Sequence, residues 1–411
     1  MKAIVRKVFS VFGGAVLGVA VVVAGCGTST KPATQSTGTP TSSPPAVVTP
    51  VLATVVAAPV PVPATDGKVH LAYELQLTNA MGSDVTVTSL EVKAGDRTLL
   101  ALAGDKLAYW TRALGAGTKP TTTLGPGQAG IVWLDVVVDG GTPAPTELSH
   151  DIVATVAKPM PPLIPATVTE NHVAPVTVST HKPAAISPPL SGPNWLDGNS
   201  CCDMTAHRMA MNPLDGSLWA AERFAIDYLQ QSADGTIFKG DKAKPESYPY
   251  FGADIHAVAD GPVVSVIDGL PEQVPGASPT GLPLDQYGGN HVVQDIGDGN
   301  YAFYAHLKTG SVKVKVGDQL TTGQVLGNLG NTGNSDAPHL HFHVMSTPDP
   351  LRSNGLPFVF KDFTLNGRLV SMDALDPLLD GKPAPLAPGS GARPEPGVSP
   401  LVLDVMTYAN G

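Results

Sequence analysis

The chain has 411 residues, of which 15% are charged, 44 are glycine and 40 are proline, and its net charge is −10. That length exceeds a single core and predicts two or three domains of ~100–200 residues each. Sparse charge with abundant turn formers argues for short strands joined by turns, an all-β chain; the absence of any Lys/Arg cluster after the first seven residues argues against nucleic acid as a partner.

Lys2, Arg6 and Lys7 precede an apolar run over residues 8–23 that closes on Val23-Ala24-Gly25-Cys26. Charged, apolar and small-residue zones in this order predict an export signal over residues 1–26. The run is marginal for ~30 Å of hydrocarbon, and no later apolar stretch is long enough to span it. The pattern resembles a bacterial lipobox, which implies lipidation at Cys26 and an extracytoplasmic protein anchored to the cell membrane. Residues 27–65 are mostly Thr, Ser, Pro, Ala and Val, a composition that builds no core and predicts a disordered tether.

Val69, Leu71, Tyr73, Leu75 and Leu77 alternate with mostly polar residues, a second alternating run covers 85–92, and residues 131–138 are rich in β-branched side chains. These strands predict an immunoglobulin-like β-sandwich over 66–160. It lacks clustered titratable groups, so a spacing or binding role is expected, with an envelope protein as the candidate partner. A Pro-rich linker with one strand follows over 161–194, then a second β domain over 195–385 and a Pro/Gly-rich tail over 386–411. Seven of the eleven histidines fall between His207 and His343, so the chemistry is expected there.

The strongest signal is Pro338-His339-Leu340-His341-Phe342-His343-Val344. On a strand the three imidazoles share one face while Leu340, Phe342 and Val344 anchor the other. Imidazole nitrogens suit zinc at ~2.0–2.1 Å, and catalytic zinc takes three protein ligands and keeps one position for water. His306 closes the run Tyr304-Ala305-His306 at a turn, and Asp227 ends an apolar run that begins at Phe224. Cys201 and Cys202 are adjacent and cannot join distant segments, which leaves a vicinal disulfide open outside the cytoplasm.

Taken in order, these elements resemble the lysostaphin-type (LytM-like) zinc metalloendopeptidases, which cut peptide cross-links in bacterial cell walls. The resemblance covers roughly 200–345 and includes Tyr248-Pro249-Tyr250-Phe251-Gly252, Gly289-Asn290-His291, Tyr304-Ala305-His306, Gly330-Asn331-Thr332-Gly333 and Pro338-His339-Leu340-His341. It implies a predominantly antiparallel β fold of the duplicated hybrid motif, with a groove. Peptidoglycan peptides are the implied substrate and Zn2+ the implied cofactor. Asp227 and His341 fall on metal ligands, and His339 and His306 fall on the general base and the transition-state stabiliser. The family's first ligand, a His four residues before the Asp, is replaced here by Arg223, and a guanidinium does not bind zinc.

His207 is the expected substitute ligand, because a hairpin turning at 212–216 would bring it opposite Glu222 or Arg223. The same count brings Cys202 or Asp203 near Asp227, so a thiolate ligand stays open. His256, His291 and His343 are expected beside the groove, and the insert over 268–286 as one of its walls. The competing expectation, drawn from Arg223, is an inactive module that grips cell wall or regulates another wall hydrolase.

Overall fold

The computed structural model describes residues 46–409, except 116, 118 and 390. The signal-like segment, Cys26 and residues 27–45 of the tether lie outside the described residues. From Val48 onward the chain forms one compact unit.

The alternation that begins at Lys68 produces a long strand, Lys68–Asn79, which pairs antiparallel along its whole length with Ala129–Asp139. A second antiparallel sheet carries Thr167–Thr177, Glu147–Val156, Val85–Ala94 and Arg97–Ala103 in that order. Leu71, Tyr73, Leu75 and Leu77 from the first sheet share one core with Val85, Val87, Leu90 and Val92 from the second. Each such side chain contributes roughly 1.5–3 kcal/mol on burial, so the period-two pattern selects the two-sheet packing.

Both expected boundaries of this unit shift outward. Val51–Val55, inside the predicted tether, pairs with Lys68–Asn79, and Val62–Pro63 adds to the same strand. Val and Thr are β-formers, so a Val- and Thr-rich composition serves a strand as well as it serves a linker. Thr167–Thr177, inside the predicted linker, pairs with Glu147–Val156 and closes the second sheet.

The second half is built on a larger, mainly antiparallel sheet. Its central order runs Asn290–Gly297, Asn300–Leu307, Leu340–Met345, Ile226–Gln230, Gly192–Gly198, Asp404–Tyr408 and Thr364–Arg368. One face buries Tyr228, Tyr304, Leu340, Phe342 and Val344 in a common core, which fixes the register of the His-bearing strand. Asp404–Tyr408 corrects the expected tail: it lies inside the sheet, with Val405, Met406 and Tyr408 in that core.

The expected hairpin is also shorter than its count. Asn212–Leu214 pairs with Ser217–Trp219 around Asp215 and Gly216, both at positive φ as a tight primed turn requires. His207 lies outside it, on the helix Ala206–Met209, whose cap Thr205 accepts a hydrogen bond from Arg208 N at 3.3 Å. Cys201 and Cys202 are joined in a disulfide, which removes Cys202 as a thiolate ligand. They pack with Phe224, Val359 and Leu401 against Val62, Ala64 and Ala72, so one apolar cluster joins the sandwich to the second half.

Candidate metal centre

Register builds the site. Asp227 stands opposite His341 on the neighbouring strand, and Ala305 stands opposite His341 on the other side. The next residue, His306, adopts φ +62°, a left-handed conformation uncommon for a side chain of this kind and found where a site demands it. Its Nδ1 lies 2.7 Å from Thr332 O. Gly333 lets that loop approach: a Cβ there would sit 2.2 Å from Gly289 N.

Four imidazoles gather round one carboxylate. His341 Nδ1 is 3.0 Å from Asp227 Oδ1, His339 Nε2 is 3.2 Å from the same oxygen, and His207 Nε2 is 3.2 Å from Oδ2. His306 stacks beside His339, with ring centroids 4.7 Å apart. The ligand atoms of His207, Asp227 and His341 all lie within 4.8 Å of one another, and so do those of His306, His339 and His341. Tetrahedral zinc with ~2.0–2.1 Å bonds separates its ligand atoms by ~3.3 Å, close to the spacings of the first group.

The proton inventory tests whether these residues suit a cation. His207 Nδ1 faces Ala225 O at 2.9 Å, and His339 Nδ1 faces Ala337 O at 2.8 Å. A carbonyl only accepts, so both rings carry their proton on Nδ1 and present Nε2 to Asp227. Two lone pairs facing a carboxylate repel unless the rings take a second proton or a cation lies between them. Burial opposes charge on His207, but Asp227 outweighs it and pushes the imidazole up to about 9. Burial would likewise raise Asp227, yet His207 and His339 hold it well below the usual carboxylate range. The donor set, two imidazoles and a carboxylate, fits zinc, and the Ala225 carbonyl behind His207 is the orienting partner such a ligand needs.

The other predicted residues fall as follows. His343 is 1% exposed, and its Nδ1 lies 2.9 Å from His341 Nε2, behind the candidate ligand. His291 lines the same cavity and is held neutral by burial. His256 does not line it; it sits on the short strand Asp254–His256, which pairs away from the groove. Arg223 is 2% exposed and points into the sandwich, where its Nε reaches both oxygens of Glu74 at 3.0 Å. Sequence reasoning missed Asn199, whose Nδ2 donates to Asp227 Oδ2 at 2.9 Å from a loop with no periodic signal.

The imidazoles line a cavity of about 1080 Å³. Pro279 and Leu284 from the predicted insert line it, together with Tyr287, Leu214, Pro350 and Arg352. That volume is at the upper end of ordinary ligand sites, so the groove has room for more than a small molecule.

Residues 248–353 match the model of Peptidase family M23. The glycyl-glycine endopeptidase ALE-1 of Staphylococcus capitis is 45% identical over 60 residues, 14% of this chain and 16% of that protein. Lysostaphin of Staphylococcus staphylolyticus is 40% identical over 75 residues, 18% of this chain and 15% of that protein. The chain thus spans under a fifth of the length of these curated relatives. Among solved structures, a catalytic-domain mutant of the prophage-encoded M23 protein EnpA from Enterococcus faecalis is 19% identical, covering 42% of this chain and 93% of that one at a TM-score of 0.26.

Proposed function

A LytM-type member of peptidase family M23 by its residues 248–353, the chain is, we propose, a zinc-dependent endopeptidase that hydrolyses peptide bonds of peptidoglycan at the cell envelope. The observation that carries this reading is His207 Nε2, 3.2 Å from Asp227 and backed by Ala225 O, which supplies the ligand that Arg223 does not. His207, Asp227 and His341 would hold the metal. Bound zinc supplies a Lewis acid that polarises the scissile carbonyl and brings the pKa of its water toward ~7.

The protein's own groups move the protons. His306, with its Nδ1 2.7 Å from Thr332 O, and His339, with its Nδ1 2.8 Å from Ala337 O, are both oriented by a carbonyl so that Nε2 is the nitrogen left for chemistry. His339 would take the proton of the attacking water as general base and His306 would stabilise the transition state, the roles that the resemblance gives them. The printed names of two relatives, lysostaphin and a glycyl-glycine endopeptidase, support a cell-wall peptide as substrate. The lipobox ending in Cys26 supports an extracytoplasmic, membrane-anchored location, where the sandwich would space the groove from the anchor.

The inactive-module reading rested on Arg223, and the imidazole that His207 offers beside Asp227 favours the active one. The test is metal content with cleavage of purified muropeptides: one zinc per chain and chelator-sensitive hydrolysis are expected. A well-folded preparation that binds no zinc refutes the reading.

A further inference from the structure

His207 rides on a helix of four residues, far below the ~12–15 that an isolated helix needs to hold itself together. Its placement is therefore set by what the neighbouring side chains grip. Arg208, the next residue, is 1% exposed and runs away from the groove into the sandwich. There its Nη2 donates to Leu134 O at 3.3 Å and its Nε lies 3.9 Å from Glu74 Oε1. Leu134 and Glu74 belong to the paired strands Ala129–Asp139 and Lys68–Asn79.

The same carboxylate takes a second arm. Glu74 is fully buried, and Arg223 closes on it through Nε and Nη2. Arg223 stands four residues before Asp227, in the segment that leads into the Asp-bearing strand. One buried sandwich carboxylate thus lies within ion-pair distance of both arms that lead to two of the three candidate ligands, hydrogen-bonded to Arg223 and 3.9 Å from Arg208 Nε. A third tie reaches the loop just before His207: Tyr109 donates to Asp203 from the sandwich.

We propose that the sandwich is a working part of the metal centre, with Glu74 as a positioning residue that sets His207 and Asp227 through Arg208 and Arg223. This rests on the reading of His207, Asp227 and His341 as the ligands. The physical reason is charge balance in a dry interface. Two guanidiniums share a buried carboxylate, and if it is neutralised they must find water, carrying the residues next to His207 and before Asp227 with them. A ligand set tolerates little of this, since zinc bond lengths are fixed to a few tenths of an ångström.

The experiment measures zinc dissociation constants on the full chain by competition with a chromophoric chelator, below the unfolding temperature of each apo variant. Glu74→Gln removes the charge at constant shape. Arg208→Met keeps the apolar stem, leaves the Glu74 and Arg223 pair intact and is the variant expected to fold in every case. Glu170→Gln is the control: Glu170 is a buried sandwich carboxylate that holds Val51 N at 2.8 Å within its own unit. Glu74→Gln and Arg208→Met are expected to weaken zinc at least tenfold, while Glu170→Gln stays within twofold of the parent even where it unfolds at lower temperature. Folded Arg208→Met with parental zinc affinity overturns the proposal, and so does equal weakening by Glu170→Gln. Failure of the ligand reading looks different: the parent itself binds no zinc, or His207→Ala binds it as the parent does.

Discussion

Replacing His207 by Ala removes one of three protein ligands without touching the sheet that carries the other two. Zinc bound by four ligands in small folded domains is worth about 10–16 kcal/mol, so one imidazole accounts for ~3–4 kcal/mol. At ~1.4 kcal/mol per decade this is a loss of about 10²–10³ in affinity. Asn199, the other side chain on Asp227 Oδ2, turns its amide N–H to the site, and an amide is not among the usual zinc ligands, so it does not replace the ring. Glu222 on the cavity wall offers a carboxylate, which sets the lower end of the range. The Ala225 carbonyl loses its donor, costing the fold only ~1 kcal/mol, so the variant stays folded. Chelator competition reads the affinity directly. A His207→Ala protein that holds zinc within threefold of the parent refutes the assignment, and with it the claim that a helix residue replaces the missing strand ligand.

Arg223→His restores the family's residue type at that position and is expected to harm the protein. The new side chain faces Glu74 instead of the groove, and breaking a buried ion pair costs ~3–5 kcal/mol, read as a fall in urea-unfolding stability with no gain in zinc affinity. His343→Leu is expected to weaken zinc about 10–100-fold by freeing the ring of His341, while His343→Asn, which keeps an acceptor near the Nδ1 position, recovers most of it; equal effects of the two would refute the role. His70 lies 2.9 Å from Asp135 and 3.2 Å from Asp66. Burial lowers its pKa, but the two carboxylates outweigh that and raise it above 6.5. Its stabilising charge is therefore fully present below ~6.5 and lost as pH rises through the higher folded value. The stability gap between the parent and His70→Gln is expected to be larger at pH 6 than at pH 9, and a gap independent of pH would contradict this.

Legibility followed period. The alternation of Val69 to Leu77 and the three histidines flanking Leu340 and Phe342 are pleat signals, and both became the strands they imply. Three features escaped for separate reasons. The helix Ala206–Met209 is shorter than two turns, so it has no hydrophobic period to detect, and only its cap Thr205 marks it. Asp404–Tyr408 carries an alternating run, but the Pro and Gly before it outweighed five residues of pattern. Glu74 is separated from Arg223 by 149 positions, and inside an alternating strand it reads as one of the solvent-facing polar residues; nothing local says that its face is covered.

These gaps share a cause. A side chain at the turn position four residues before Asp227 can face the sandwich or serve the groove, but not both. With a guanidinium there, the segment is pinned to Glu74, and the missing nitrogen must come from a neighbouring element held by the same anchor. The helix of His207 meets that condition, because Arg208 runs into the sandwich past Glu74 to Leu134 O while His207 points the other way to Asp227. A chain with Arg at this position and no partner for it would carry a buried, unpaired charge beside its metal centre, which the cost of desolvating an ion forbids. The Arg at 223 therefore implies both the sandwich carboxylate and the relocated imidazole, and each is present.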